Sequence, residues 1–184
     1  PKCAWLTSYL ETSLLRAVWY PTTVASKSFA IKSIIQRYLK ETADNLDGLP
    51  FKLHDFGARG AASNEAASIG GLAHLLNFMG TDTVSALVYA KRYYNEDIAG
   101  YSIPAAEHST ITAWGQKNES LAYQNMLDQF SKPGSLVAVV SDSYDLFHAI
   151  DNIWGNELKA KVENSGGTLV VRPDSGNPVE IVAQ

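Results

Sequence analysis

From Pro50 onward, short apolar runs alternate with polar loops and helical stretches, and this alternation confines the chain to an α/β fold. Five strand candidates follow in order: FKLHDFG (51–57), AHLLNF (73–78), GYSIPA (100–105), SLVAVV (135–140) and TLVV (168–171). Helical stretches separate them: an Ala-rich segment from Glu65, then VSALVYAKRYY, NESLAYQNMLDQF and LFHAIDNIWG. The fourth and fifth runs are continuously apolar, as expected of parallel strands covered on both faces. Parallel strands joined through helices need right-handed crossovers, which leaves an α/β barrel or a doubly wound sheet. Five units fall short of the eight in a standard barrel.

Residues 1–49 read as a helical lead-in to this α/β region, residues 50–184. WLTSYLETSLLRAVWY has helical spacing and is expected to stop at Pro21. A second helix then carries Phe29, Ile31, Ile34, Ile35, Tyr38 and Leu39 on one face and exits at Gly48. The chain opens on Pro1 and closes at VEIVAQ, the first turns of a further helix, so a piece of a longer polypeptide is expected.

Composition narrows the class. With 184 residues, 46% of them hydrophobic, the chain can bury a core without disulfides or a structural metal. Cys3 is the single cysteine, which excludes an internal disulfide. The net charge of -4 is spread without blocks of one sign, so neither nucleic acid nor a membrane surface is an expected partner. No signal peptide or membrane-length apolar run is present, and a cytoplasmic setting is the expectation.

In α/β folds, ligands are met at the C-terminal ends of strands. Those ends carry Asp55 and Arg59, then Asp82, then Glu107 and His108, then Ser141, Asp142 and Asp145, and finally Arg172 and Asp174. Each aspartate has an alternative use as a helix cap. Asp142 and Asp145 have capping-box spacing, Asp82 or Thr83 precedes a helix, and Asn177 with Pro178 and Glu180 makes a helix start. Arg59 and Arg172 favour anion binding, because a guanidinium beside helix N-termini grips phosphate bidentately. His108, in PAAEHSTITAWG, is placed to act as a base or as a nucleophile toward a phosphoryl group. Neither a GxxxxGK[ST] nor a GxGxxG motif occurs, and His54, His74, His108 and His148 lack metal-ligand spacing, so no metal site is expected.

Taken in order, KLHDFGARG, GTDTV, YSIPAAEHSTITAWG, VVSDSYD and RPDSGNP resemble the nicotinamide phosphoribosyltransferases over essentially the whole chain. The resemblance implies an irregular α/β barrel of the type II phosphoribosyltransferase kind, here partial and truncated at both ends, and a homodimer. It implies transfer of the phosphoribosyl group of phosphoribosyl pyrophosphate to nicotinamide, with Mg2+, and with ATP hydrolysis coupled through a phosphorylated histidine that matches His108. By the same resemblance Phe56 stacks on the pyridine ring and Asp82 accepts from the carboxamide NH2. Arg59, Ser102, Ser141, Asp145, Arg172 and Asp174 line the ribose and phosphate region, with His108, Asp145 and Asp174 as the catalytic group. A carboxylate at Asp82 repels nicotinate, which favours the amide substrate.

Ala58 departs from the aromatic residue of many relatives. The aromatic that covers the second face of the ring, contributed by the dimer partner, has no counterpart in this chain. The segment alone is therefore expected to be inactive. Two other readings stand beside the first: a nicotinate phosphoribosyltransferase, and an inactive fragment that only binds phosphate ligands.

Overall fold

A computed structural model describes residues 2–183. The chain forms two compact units, Pro1–Ser102 and Ile103–Gln184. Among the described residues, no helix is long and apolar enough to cross a membrane.

The first unit begins with one helix, α1 (Ala4–Thr42), which runs through Pro21 rather than stopping there. Proline in a helix interior costs about 3 kcal/mol because it removes a hydrogen bond and crowds the preceding turn. Here helix-compatible residues flank it on both sides, and the later half of α1 is anchored from outside. The Asn77 amide donates to the Ala25 carbonyl (3.0 Å) and to Ser28 Oγ (2.7 Å). The expected apolar face is not buried as a whole: Phe29, Ile31, Ile34 and Tyr38 are exposed, and the buried position is Ser28.

Strand β1 (His54–Asp55) pairs in parallel with β2 (Gly80–Thr81) in the register His54↔Gly80 and Asp55↔Thr81. Helix α2 (Asn64–Leu75) connects them, capped by Ser63 Oγ accepting from Ala66 N–H at 3.0 Å. Residues 73–78, expected as a strand, are instead the last turn of α2 and a tight exit from it. Leu76, Asn77 and Phe78 N–H groups all bond back to the Ala73 or His74 carbonyls. Ala73 on the helix and Phe78 just beyond it are buried whereas Leu76 is exposed, and the strand comes two residues later. Helix α3 (Val84–Tyr94) follows β2 and ends on Asn95 in the left-handed conformation. Gly71 brings α2 close to its neighbours: a Cβ there would lie 2.7 Å from the Ala86 Cβ and 3.1 Å from Asp55 Oδ2.

The expected strand 100–105 is reduced to two isolated parallel bridges, Tyr101 to Gly80 in the first unit and Ala105 to Ala138 in the second. Pro104 has no N–H and cannot continue a ladder, although its carbonyl accepts from Ala138 N–H at 2.9 Å.

In the second unit, β3 (Leu136–Val140) and β4 (Thr168–Arg172) pair in parallel over five positions, close to the expected runs. Val137 to Val140 are buried, whereas β4 is only half-buried. Helices α4 (His108–Thr112) and α5 (Glu119–Phe130) precede β3. After β3, a short α6 (Leu146–His148) widens into a π-helix (Ala149–Glu157), and α7 (Lys159–Ser165) leads into β4. Gly155 suits the wide turn, since a Cβ there would meet the Ile150 carbonyl at 2.9 Å. The core gathers Ile111, Tyr123, Leu127, Val137, Val139 and Ile153 around a Tyr123–Trp154 stack with centroids 4.7 Å apart. Helix α8 (Pro178–Ala183) starts as expected, with Pro178 first and Asn177 Oδ1 accepting from Val179 N–H at 3.1 Å.

Candidate functional site

Each unit gathers polar side chains at the C-terminal ends of its parallel strands. In the first unit the pairing of β1, β2 and Tyr101 sets three chain ends side by side, and His54, Asp82 and Ser102 emerge from them in a row. His54 Nε2 lies 3.3 Å from Asp82 Oδ2, and the Ser102 hydroxyl donates to Asp82 Oδ1. Asp82 stays partly open, with 38% of its side chain exposed. The Asp82 backbone N–H is tied to the Asp55 carbonyl at 2.9 Å, which locks the carboxylate's base to the sheet. Phe56 leans on His54 with centroids 4.7 Å apart and an interplanar angle of 34°, and keeps much of its ring exposed. Arg59 follows in a 3-10 turn, Gly57–Gly60, whose entry is pinned by Asp55 Oδ1 accepting from Gly57 N–H at 2.7 Å. A recess of about 400 Å³ lies against Leu53, His54, Phe56 and His74.

The second unit centres on His108, the first residue of α4. Thr110 fixes the turn that presents it, accepting from Glu107 N–H (3.2 Å) and donating to the Glu107 carbonyl (2.7 Å). His108 Nε2 is 3.0 Å from Asp142 Oδ1, and Nδ1 is 3.7 Å from Asp174 Oδ2. Asp142 is almost fully enclosed, with 4% of its side chain exposed. Its other oxygen accepts from Asp174 N–H (2.8 Å) and from Ser175 Oγ (2.6 Å). Burial acts to raise the Asp142 pKa, but the donors from Ser175, Asp174 and His108 outweigh it and hold the carboxyl at about 2. A fixed anion therefore backs an imidazole that is 40% exposed.

The predicted residues separate into groups. Phe56, Asp82 and Ser102 are neighbours through His54 and Asp82, with Arg59 on the adjoining turn. His108 and Asp174 are together, and Arg172 precedes Asp174 at the end of β4. Asp145 caps α6, accepting from His148 N–H at 3.0 Å, and borders a recess of about 380 Å³ that His108 does not line. Glu119, in the same recess, is buried and bonded by the Tyr123 hydroxyl at 2.7 Å. Burial raises the pKa of both partners. Ser141 is fully buried: its hydroxyl donates to the Val139 carbonyl and accepts from Trp154 Nε1, both at 3.0 Å. It holds the core together rather than facing solvent.

The contacts of three neighbours of these clusters escape a reading of the sequence. His54 lies inside the expected strand 51–57, and nothing in HDFG shows that its ring turns to Asp82. Asp142 is visible as a strand-end acid with capping-box spacing, yet the cap is Asp145 alone and Asp142 reaches His108 instead. Ser175 signals only a turn. Among the described residues, no group of three or more His, Cys, Asp or Glu side chains is placed to hold a metal ion.

Parallel strands joined through helices, with polar clusters at their C-terminal ends, place the chain in the α/β class. Residues 51–184 match the model of the nicotinate phosphoribosyltransferase family, and the chain belongs to that family. It is 58% identical over 184 residues to a nicotinamide phosphoribosyltransferase of Xanthomonas campestris pv. campestris, covering all of this chain and 39% of that relative. It is 38% identical over 184 residues to the protein of that name from Mycoplasma pneumoniae, covering 38% of it. The corresponding Acinetobacter baylyi protein is 32% identical over 185 residues, covering 97% of this chain and 36% of the relative. The chain thus spans less than two-fifths of the length of each of these relatives.

Proposed function

We propose that this protein transfers the phosphoribosyl group of phosphoribosyl pyrophosphate to nicotinamide, releasing pyrophosphate and forming nicotinamide mononucleotide. The observation that carries the reading is the acceptor at Asp82, partly open and bonded by Ser102, with His54 3.3 Å away and the Phe56 ring against that imidazole. An aromatic face with a fixed carboxylate suits a pyridine bearing a carboxamide. The ring stacks on Phe56 and the NH2 donates to Asp82. Nicotinate would set two carboxylates against each other, a repulsive arrangement. The names of the relatives agree with the amide.

The new C–N bond forms at the anomeric carbon as the bond to pyrophosphate breaks. The transition state carries positive charge on the ribose and growing negative charge on the leaving group. Arg59 and Arg172 are assigned to the phosphates and Asp174 to the ribose side, the signs each needs. Magnesium bound to the pyrophosphate donor would offset the charge of the leaving group in this reading. Such an ion takes phosphate oxygens, waters and one or two carboxylates, and exposed Asp174 is of that kind. Asp145 and Ser141 act by shaping the loop after β3.

His108 is assigned the ATP-linked role. Asp142, ionised, accepts from the Nε2–H, which leaves the imidazole lone pair on Nδ1; Nδ1 attacks the γ-phosphorus of ATP as the bond to the bridging oxygen breaks, and ADP departs. The whole protein is read as a type II phosphoribosyltransferase barrel, working as a cytoplasmic homodimer.

The second reading, nicotinate as the base, is favoured by the description of the family. Replacing Asp82 with Asn and assaying both bases separates the two. The amide reading requires the nicotinamide preference to shrink by about tenfold or more, and an unchanged preference refutes it.

A further inference from the structure

We propose that Asp142 is a positioning residue that decides which nitrogen of His108 is phosphorylated, and that its link to the β4 exit loop is what fixes that choice. The inference rests on the reading of His108 as the phosphoryl acceptor and adds the residue that governs it. An imidazole offers two nitrogens, and the one that holds the proton cannot attack phosphorus. A ring that attacks carries a single proton. At 3.0 Å from the Asp142 carboxylate, Nε2 keeps that proton, and the lone pair lies on Nδ1. Asp174 Oδ2, which faces Nδ1, is 3.7 Å away, beyond hydrogen-bond reach, and 40% of the His108 side chain is exposed.

The sheet places the carboxylate for this. Val140 of β3 pairs with Arg172 of β4, and Asp142 and Asp174 stand two residues beyond them. Ser141 N–H donates to the Arg172 carbonyl at 3.0 Å, which carries the pairing past the end of β3. Asp142 Oδ2 then accepts from Asp174 N–H (2.8 Å) and Ser175 Oγ (2.6 Å), while Oδ1 meets His108. Three segments converge on one enclosed carboxylate: the β3 exit, the β4 exit and the start of α4. With both oxygens engaged, it cannot turn without breaking bonds on two sides. Charge reinforces the geometry. Attack from Nδ1 forms the N–P bond as the bond from the γ-phosphorus to the bridging oxygen breaks, and ADP leaves with that electron pair. The proton stays on Nε2, so the phosphorylated ring is an imidazolium, and the Asp142 anion offsets its charge.

The test uses the protein as naturally encoded, incubated with ATP, with the phosphohistidine isomer read by phosphorus and nitrogen NMR of the folded protein. The wild type carries the phosphoryl group on Nδ1. In Asp142→Asn the amide oxygen follows the Asp174 N–H, a donor that cannot switch, so the NH2 faces Nε2 and the ring proton moves to Nδ1. Labelling of Nδ1 then falls about a hundredfold or more, as expected of a wrong tautomer. Asp142→Ala leaves the ring unheld: Nδ1 labelling falls less, about tenfold, and part of the label moves to Nε2. A merely structural role for Asp142 gives the opposite order, because Asn keeps the shape that Ala removes, and it does not move the isomer. The proposal is overturned by label on Nε2 in the wild type, or by Asp142→Asn labelling Nδ1 at close to the wild-type rate. Should Asp142→Ala fail to fold, these two readouts decide alone. A wild type that takes no label from ATP sinks the reading of His108 and this inference with it. A wild type labelled on Nδ1, with labelling indifferent to Asp142, refutes this inference alone.

Discussion

Replacing Asp142 with Asn removes one negative charge from an enclosed pocket and leaves its shape intact. The wild-type carboxylate accepts from His108, Asp174 N–H and Ser175. An asparagine can serve only part of this set, because its NH2 must face at least one other donor. With a carboxyl held at about 2 against an ordinary 3.8, the paired anion contributes about 2.5 kcal/mol to folding. The sign follows from the direction of the shift. A depressed native pKa means that this contribution is complete above pH ~4, shrinks as the pH falls toward ~2, and is gone below it. Urea unfolding at pH 7 should therefore show the variant's midpoint lower by roughly 1 M, given a slope of about 2 kcal/mol/M for a chain of this size. The gap should close when both proteins are compared at about pH 2. Equal midpoints at pH 7, or a gap that persists undiminished in acid, would refute the assignment of Asp142 as a buried, multiply bonded anion.

Three further outcomes are expected. Gly71→Ala presses a Cβ against Ala86 and Asp55 between α2 and α3 and should cost about 1–3 kcal/mol, read as a lower thermal midpoint. Trp154→Phe removes the donor to Ser141 and part of the stack on Tyr123, for a loss of about 2 kcal/mol. Adding Ser141→Ala to that variant should then cost clearly less than Ser141→Ala does alone, which a double-mutant cycle measures. His108→Ala should abolish the acid-labile phosphate label formed on incubation with radiolabelled ATP, and full labelling of the variant would remove His108 from the ATP-linked role.

The parts of the fold that announce themselves in the sequence are those with long, uniform patterns. SLVAVV and TLVV lie within a residue or two of β3 and β4, and α2, α3 and α5 fall on the expected helical stretches. The first unit is harder to read because its strands have two residues each, too few for any periodicity to show. An apolar segment such as AHLLNF then looks like the strand, although it ends a helix. Pro21 misleads for the opposite reason. Its local cost is real, but contacts between distant residues, Asn77 with Ala25 and Ser28, help to hold the helix beyond it. At the sites, residue types were legible and pairings were not. His108, Asp82, Arg172 and Asp174 stand out at strand ends, whereas the link from Asp142 to His108 spans 34 positions and that from Ser102 to Asp82 spans 20. Only parallel pairing brings such residues together, and a sequence does not print its register.

The central claim is that a carboxylate at a strand end selects a neutral pyridine amide for phosphoribosylation. The most direct measurement is a product assay on the naturally encoded protein, with phosphoribosyl pyrophosphate and either nicotinamide or nicotinate, resolving the two mononucleotides by mass. The expected product is nicotinamide mononucleotide with release of pyrophosphate, and at most a small fraction of that rate with nicotinate. Equal or faster use of nicotinate, or no phosphoribosyl transfer to either base, would contradict it.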